Sequence, residues 1–588
     1  MTRHHGSGEV AHIDPVTAQV VGNRLQSTAE EMWATLVRTG YSVNIKERYD
    51  CSTAIFNGRG EVIAMPSRAT VPIHLSSLDG VVQAVLHRFP RENFVRGDMF
   101  IANDPYIPGG GGSHLPDYTV VAPVFGASDK IIAFVANLGH HSDIGGAATG
   151  SHAVHMPTIF HEGLRLPPLR IVRAGQVQDD IVDLIGLNSR LPSERVGDLS
   201  AQFAANWTGI RGVREVCERF GEAVVAACME EMLDYSERRL RAALRGLPDG
   251  DFEASDYFDD DGVHEEPLRI QVRAVKRGEA LLFDFSGTCP QVGTAVNAPM
   301  VATRATVFCV VKTLLDPGLP PNAGLHRVIT VSAPPGTLVN PLPPAAVGER
   351  SSTCQVIGDV VAAALAEIVP DESPAACGSL LGYRVCGTDP RTGRYFVEYQ
   401  AFAGGHGATA FADGMDSVRV WASGASNAPV EADEIAYPIV VHRYELRSGS
   451  GGAGRYRGGL GIRRVFSVRG ENVTLSTGCT RMRIPPRGTH GGGDGARATI
   501  VINPSMERER SLTRSVTDYP LAPGDVVEVQ SAGGGGWGPP RERPPEALER
   551  DVREGKVDAV TNGVMERPSR TDGPAAARSL NLPEGKGE

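Results

Sequence analysis

Residues 103–146 read NDPYIPGGGGSHLPDYTVVAPVFGASDKIIAFVANLGHHSDIGG, and they predict a β-hairpin with polar residues at both ends. Residues 118–124 and 131–136 are apolar and β-branched, and residues 126–130 between them are small and polar, which is typical of two strands and their turn. Because a hairpin returns the chain to its start, the His-x-x-Asp before the first strand and the His-His-x-Asp after the second are expected to lie side by side.

These two polar clusters form a candidate metal site. Their possible ligands are His114 and Asp117 before the hairpin, and His140, His141 and Asp143 after it. Imidazole and carboxylate are ligands that suit Zn, Mn or Fe. The alternative is a pair of polar loops whose histidines hydrogen-bond to nearby carboxylates. The density of histidines favours the metal, since six of the 16 in the chain lie between residues 114 and 161.

Composition and charge restrict the class of protein. The net charge of −11 argues against a nucleic-acid binder, because nothing in the composition would offset phosphate repulsion. Nine cysteines without a C-x-x-C pair suit reduced thiols in the cytosol. The N-terminus does not resemble a signal peptide, and no apolar run approaches the ~20 residues of a membrane span. The sequence therefore predicts a soluble cytoplasmic protein.

The chain is long enough for several domains, and its pattern predicts a multi-domain α+β fold with mixed β-sheets, long helices and a β-rich C-terminal region. We predict a metal-site α+β domain at 1–250, a β-rich domain with helical insertions at 251–540, and a charged, Pro-rich tail at 541–588. Helices are predicted at 15–38, 75–87, 193–247, 302–315 and 359–368, with a short one in the tail; hairpins are predicted at 42–66 and 268–288.

Several other residues are candidates for a role in the site. Asp50 precedes a strand and is either a further metal ligand or nearby acid, or an ordinary solvated carboxylate. Arg165 follows the central stretch and either binds an anionic group or is solvated. The acidic run at 259–262 lacks the spaced ligands of an EF-hand and is predicted to be a solvated turn. Residues 449–454 match G-x-G-x-x-G, but no helix is predicted after them, and no P-loop motif occurs in the chain.

A set of motifs resembles the hydantoinase B/oxoprolinase family. They occur in order from about residue 42 to 555, so that the resemblance covers nearly the whole chain: SVNIKERYDCSTAIF, NDPY-x4-GGSHLPDYTVV, GHHSDIGG, HEGLRLPPLRI, DFSGT-x8-N, YELRSGSGGAGRYRGGLG, GGGGWG and PEALERDVREG. The family includes β-subunits of ATP-dependent N-methylhydantoinases and lactamases, the C-terminal half of oxoprolinase, and α-subunits of acetone and acetophenone carboxylases.

The resemblance implies a division of labour between two subunits. A hydantoinase A-type partner uses ATP to phosphorylate the substrate, and the β-type subunit carries a divalent transition metal, Mn or Zn. The family's ligand pattern, His-x-x-Asp and a later His, matches His114, Asp117 and His140. His140 is preferred to His141 because it holds the first place in GH-x-x-D-x-GG. Asp50 and Asp143 are further candidates, each as a ligand or as the general base.

The resemblance therefore predicts the metal-bearing subunit of a hetero-oligomeric hydrolase that acts on hydantoin-, oxoproline- or lactam-like rings. Because a phosphorylated intermediate is anionic, arginines such as Arg48 and Arg165 are expected to bind it. Two alternatives remain: a subunit of an acetone- or acetophenone-type carboxylase, and an assembly subunit whose metal only holds loops together.

Overall fold

The computed structural model describes residues 13–67 and 71–557 of the chain. This part is α+β, with several mixed and antiparallel sheets and long helices, so the predicted fold class is confirmed. Its helices are α1 (Pro15–Thr39), α2 (Val43–Lys46), α3 (Ile73–Arg88), α4 (Asp179–Leu187), α5 (Pro192–Phe220), α6 (Glu222–Arg245), α7 (Met300–Leu315), α8 (Arg350–Leu365), α9 (Val430–Ala436) and α10 (Pro545–Arg553).

The N-terminal sheet contains the hairpin predicted at the outset. It is antiparallel, in the order β2-β1-β5-β4-β3-β6-β7. Helix α5 packs on the hairpin strands and α1 packs on α5, which accounts for the apolar periodicity of both helices. The strands are β1 (Cys51–Asn57), β2 (Val62–Ala64), β3 (Met99–Ala102), β4 (Asp117–Phe125), β5 (Ile131–His140), β6 (Leu169–Arg173) and β7 (Gln176–Val177).

Three further sheets follow. The second, in the order β11-β10-β9-β8, is covered by α8, and its β10–β11 pair is parallel. The third and fourth have the orders β13-β12-β16-β19 and β14-β15-β20-β17-β18. The strands are β8 (Gly250–Phe258), β9 (Leu268–Arg277), β10 (Ala280–Asp284), β11 (Ile329–Ser332), β12 (Leu380–Asp389), β13 (Arg394–Ala403), β14 (Ile439–Leu446), β15 (Ile462–Val468), β16 (Glu471–Cys479), β17 (Thr499–Ile502), β18 (Arg510–Leu512), β19 (Tyr519–Leu521) and β20 (Val526–Gln530).

Three local predictions are corrected by the structure. The segment before β1 is not a continuous strand, because Ser42 accepts a hydrogen bond from the Ile45 amide and caps the short helix α2. Helix α8 begins at Arg350, nine residues earlier than predicted. The acidic run at 259–262 is buried rather than solvated, because Asp259 accepts hydrogen bonds from three backbone amides at residues 482–484.

The glycine-rich C-terminal segments pack against one another through their backbones. A Cβ atom at Gly451 would lie 2.0 Å from the Gly458 carbonyl oxygen, and one at Gly534 would lie 2.1 Å from that of His406. Only glycine permits such approach. No helix follows residues 449–454, as predicted, so the G-x-G-x-x-G match belongs to this glycine packing and not to a dinucleotide site.

Three large clusters of buried apolar side chains lie in the described part of the chain. One lies mostly within the N-terminal sheet and its helices, one around the second sheet with α7 and α8, and one between the third and fourth sheets. The domain limits at 250 and 540 stay a prediction. Within the predicted tail, Asp551 of α10 pairs with Arg543 at 2.5 Å, and Arg543 pairs with Asp413 at 2.7 Å, which links the tail to the preceding domain. The tail beyond residue 557 lies outside the described residues.

Among the helices of residues 13–67 and 71–557, none has the length and apolar character needed to cross a membrane.

One histidine makes the stability of the fold depend on pH. Burial, together with the positive charge of Arg304, lowers the pKa of His326 from 6.5 to about 4. Its ring stacks on Phe308, with the ring centroids 4.5 Å apart. The unfolded chain binds this proton at a higher pH than the folded chain does. Its contribution to stability is therefore complete above pH 6.5 and is lost as the pH falls towards 4.

Lowering the pH from about 7 to about 5 is accordingly expected to cost about 2 kcal/mol of unfolding free energy through His326. The variant His326→Phe keeps an aromatic ring against Phe308 but cannot bind a proton. Urea titrations at both pH values are expected to show a pH dependence smaller by about that amount in the variant. An equal pH dependence in the two proteins would contradict this assignment.

Candidate metal centre

The hairpin β4–β5 places three candidate ligands at one end of the N-terminal sheet. Asp117 is the first residue of β4 and His140 is the last residue of β5, and the two are paired across the strands. His114 lies in the turn just before β4. The predicted hairpin is therefore confirmed, and its register brings the His-x-x-Asp segment against the end of β5.

The three side chains form a compact, buried group. One ligand atom from each of His114, Asp117 and His140 lies within 4.8 Å of the other two. The Nε2 atom of His114 is 3.0 Å from Oδ1 of Asp117, and the rings of His114 and His140 have centroids 5.1 Å apart. Two imidazoles and one carboxylate are a ligand set found at catalytic Zn and Mn sites.

The inner atoms of this group have no hydrogen-bond partner among the described residues. They are Nε2 of His114, Oδ1 of Asp117 and Nε2 of His140, and all three are buried. Although the first two atoms are close, their geometry is not that of a hydrogen bond. Unpartnered buried polar atoms are costly, and three that converge on one point are expected where a cation belongs. The residues present therefore fit a divalent metal ion.

The outer atoms of all three residues contact neighbouring groups, and Nδ1 of His140 lies 3.3 Å from Nδ2 of Asn44. His114 donates from Nδ1 to the Gly348 carbonyl oxygen at 3.2 Å, which leaves the Nε2 lone pair free. Asp117 accepts at Oδ2 from Ser113 Oγ and from Arg350 Nη2, both at 2.9 Å, which leaves Oδ1 free. Contacts of this kind orient metal ligands and fix the tautomer of a histidine.

The electrostatics of the group favour the protonation states that bind a cation. Burial lowers the pKa of His114, and the nearby charge of Arg350 lowers it further. Burial and the proximity of His114 hold the pKa of His140 well below 6.5. Burial opposes ionisation of Asp117, but His114 and Arg350 hold its pKa well below 3.8. Two neutral imidazoles and an anionic carboxylate therefore face one another.

Asp50 lies beside this group without belonging to it. Its backbone carbonyl accepts from the His140 amide at 3.0 Å, and its side chain is 7% exposed. Its Oδ1 is 3.8 Å from Nε2 of His74, which in turn contacts Ser52 Oγ at 2.9 Å through Nδ1. The structure thus places the backbone of Asp50 next to the ligand His140 and its carboxylate beside His74.

Asp143 does not join the three ligands. Its Oδ2 accepts from Arg190 Nη1 at 2.8 Å, and its Oδ1 accepts from the backbone amides of Arg190 and Gly145 at 2.9 and 3.1 Å. The chain turns away after β5, through Gly145 and Gly146, which both have positive φ. Asp143 therefore anchors this turn to Arg190. Its carboxylate is engaged there and is set apart from the ligands His114, Asp117 and His140.

The two predicted arginines occupy different surroundings. Arg48 is fully buried, and its Cζ lies 4.3 Å from the ring centroid of Tyr399, which stacks on His140. Arg165 instead pairs with Asp104 at 2.6 Å. Only Arg48 of the two is thus connected to the metal group through a single intervening side chain.

Several residues of the centre have no local signal in the sequence. Gly348 and Arg350 contact His114 and Asp117 from more than 230 positions away, and Tyr399 approaches His140 from β13. His152 also lies beside the group, since its ring centroid is 5.5 Å from that of His114 and its Nδ1 is 3.1 Å from Glu349 Oε1. The histidine density included His152, but nothing predicted its pairing with Glu349.

Comparison with known proteins agrees with this architecture. The family model for hydantoinase B/oxoprolinase matches residues 14–540. The caprolactamase subunit beta of Pseudomonas jessenii is 30% identical over 93% of this chain and 94% of its own. The 5-oxoprolinase 1 of Arabidopsis thaliana is 32% identical over 89% of this chain, and the match spans 42% of that longer protein.

Two solved structures share the fold. The crystal structure of the ATP-dependent caprolactamase from Pseudomonas jessenii superposes with a TM-score of 0.84 at 28% identity, over 95% of this chain and 98% of that one. The nucleotide-free structure of an acetone carboxylase gives 0.85 at 17% identity, over 95% and 80%. At that identity, the second likeness concerns the fold alone.

Proposed function

This chain belongs to the hydantoinase B/oxoprolinase family, and from that premise we propose that it is the metal-bearing subunit of an ATP-dependent cyclic amide hydrolase. Its substrates are rings of the hydantoin, oxoproline or lactam class, activated by a hydantoinase A-type ATP-binding partner in a hetero-oligomer. The observation that carries the proposal is the buried group His114, Asp117 and His140, with three converging atoms that lack hydrogen-bond partners.

The need for ATP-dependent activation follows from the chemistry of the amide. Nitrogen donates into the carbonyl carbon and is a poor leaving group, so uncatalysed hydrolysis is slow. Phosphorylation of the amide oxygen converts it into an imidate-like electrophile with a good leaving oxygen. The sequence has no P-loop motif, which is consistent with a partner that carries out this step.

The residues of the centre have separate tasks in this scheme. His114, Asp117 and His140 would hold a divalent ion, Mn or Zn, which would supply hydroxide at neutral pH and stabilise negative charge on the reacting oxygen. Asp50 would accept a proton from the attacking water, because its backbone contacts the ligand His140 and its carboxylate forms no ion pair with an arginine in the described residues. We assign this role to Asp50 in preference to Asp143, which is held by Arg190.

The proposal predicts that ATP hydrolysis depends on the partner and on a ring substrate. With the co-purified ATP-binding subunit, one of hydantoin, 5-oxoproline or caprolactam is expected to stimulate release of phosphate and of the ring-opened acid. The chain alone should hydrolyse neither ATP nor the ring. The control is His114→Ala in the same complex, which should lose ring opening.

Two results would contradict this function. Ring opening by the chain alone, without ATP, would exclude the two-subunit scheme. ATP hydrolysis stimulated only by a ketone together with bicarbonate would instead identify a carboxylase, the activity of the neighbour that shares this fold.

A further inference from the structure

Two guanidinium groups meet at the ring that borders the metal centre. Arg48 and Arg384 have their Cζ atoms 4.3 and 4.6 Å from the ring centroid of Tyr399. The same ring stacks on His140, with centroids 5.3 Å apart and an angle of 11° between the planes. The ring is thus shared between a ligand of the proposed metal and two cations from different parts of the chain.

The positive charge of Arg48 is not paired directly with a carboxylate in the described part of the chain. Its side chain is fully buried, and Nη1 donates to two neutral acceptors, Oδ1 of Asn44 at 3.1 Å and the carbonyl oxygen of Tyr399 at 3.0 Å. Its Nε and Nη2 atoms are buried without a partner. Within residues 13–67 and 71–557, no carboxylate forms an ion pair with it. A buried guanidinium in this state is costly unless an anion joins it.

The second cation is only partly compensated. Arg384 pairs through Nη1 with Glu349 at 2.7 Å, and its Nε is buried without a partner. Burial, with a further contribution from the charge of Arg48, lowers the pKa of Arg384 to about 10. The two guanidinium groups therefore repel each other across a region from which water is largely excluded.

A third arginine increases this excess of charge. Arg419 donates to Ser423 Oγ at 3.1 Å and to Asn427 Oδ1 at 3.2 Å, both of them neutral. Burial and the charge of Arg48 lower its pKa to about 10. Each of these three arginines thus has neutral partners or shares one carboxylate. Arg464 and Arg481, which are buried like Arg48 and Arg384, each contact two carboxylates.

We propose that Arg48 and Arg384, which both contact the ring of Tyr399, form an oxyanion-binding subsite next to the metal centre. The planar fork of guanidinium matches the oxygens of a phosphoryl or carboxylate group. The choice of ligand rests on the proposed function, in which the partner delivers a phosphorylated ring; a ring that carries its own carboxylate would supply the same chemistry.

The alternative is that Arg48 only ties two parts of the chain together. Besides its bond to the Tyr399 carbonyl, its own carbonyl accepts from the Ser426 amide at 2.7 Å. A purely structural Arg48 would affect the stability of the fold but not the affinity for anions. Anion binding therefore distinguishes the two roles.

The test is calorimetric titration of the metal-free full-length chain with inorganic phosphate and, separately, with acetate. Arg48→Met is expected to weaken phosphate binding about tenfold or more. Arg384→Lys keeps a charge beside Glu349 but removes the fork, and it provides a second reading if Arg48→Met fails to fold. The matched control is Arg96→Met, because Arg96 also lies over an aromatic ring, Phe125 at 5.5 Å, but pairs with Asp129 at 2.7 Å on the surface.

If the wild type binds phosphate more tightly than acetate, and this binding is lost in the Arg48 or Arg384 variant but kept in the control, the result supports a subsite for a phosphoryl group. If acetate binds more tightly than phosphate, with the same effect of the variants, the result supports a subsite for a carboxylate. If the wild type binds neither anion, or if a folded variant binds them with unchanged affinity, the proposed subsite is overturned. The metal content of the wild type, measured separately, distinguishes failure of the anion subsite from failure of the proposed hydrolase function. Metal without anion binding removes the subsite alone, and anion binding without metal removes the proposed hydrolase.

Discussion

Asp117→Asn is expected to lower ring opening by about a thousandfold or more, because the metal contributes several kcal/mol of charge stabilisation and about 1.4 kcal/mol corresponds to a factor of ten. Asparagine has nearly the size of aspartate, so the change removes the charge while it preserves the packing. Asp117 is the only carboxylate of the ligand group in the described residues, and its Oδ1 has no other partner. The measurement is turnover of the complete complex with saturating ATP.

The same substitution is expected to reduce stability, and this effect needs its own control. Asp117 also pairs with Arg350 at 2.9 Å, so asparagine leaves a buried guanidinium without an anion, at a cost of about 3 kcal/mol. Asp143→Asn is the matched control, because Asp143 is equally buried and pairs with Arg190 at 2.8 Å. Asp143→Asn is expected to lose stability but keep its metal. Full metal occupancy and turnover in a folded Asp117→Asn would contradict the site.

The second large effect distinguishes two adjacent histidines. His140→Gln is expected to weaken metal binding by about a hundredfold or more, while His141→Gln is expected to change it by less than about tenfold. His140 ends β5 with its Nε2 directed to the other ligands, whereas His141 contacts Gln202 Oε1 at 3.1 Å and packs on Tyr118. Titration of both metal-free variants with Mn or Zn measures the difference.

This pair also controls for nonspecific damage. Burial lowers the pKa of His141 to about 3, so both histidines are neutral and buried, and both substitutions remove an imidazole from the same turn. A greater loss of metal in His141→Gln than in His140→Gln would contradict the assignment and identify His141 as the ligand.

The hairpin and its ligands were predictable because their signal is local. The apolar, β-branched character of residues 118–124 and 131–136 and the turn between them predict the pairing, and this pairing brings Asp117 opposite His140. The long helices were predictable for the same reason, because their apolar residues recur every three or four positions along the one face that is buried. In α8, however, the first residues are polar but buried, for example Arg350 against Asp117 and Thr353 against the Val296 carbonyl. The apolar pattern therefore placed the start of the helix too late.

The surroundings of the ligands were not predictable from local pattern. Arg350, Gly348 and Tyr399 reach the hairpin from distant segments, and nothing in their neighbouring sequence distinguishes them from ordinary polar or aromatic residues. The GH-x-x-D-x-GG motif likewise does not reveal that Asp143 turns to Arg190. The acidic run at 259–262 appeared solvated because its partners, the amides at 482–484, lie more than 200 residues away.

The most direct test of a metal centre at His114, Asp117 and His140 is the metal content of the purified chain, measured by mass spectrometry without added metal. We expect about one transition-metal ion per chain in the wild type and a loss of most of it in His114→Ala, whose fold is checked by circular dichroism. Metal at equal occupancy in both proteins would contradict the assignment. So would a wild type that binds none even after incubation with Mn or Zn and with its partner subunit.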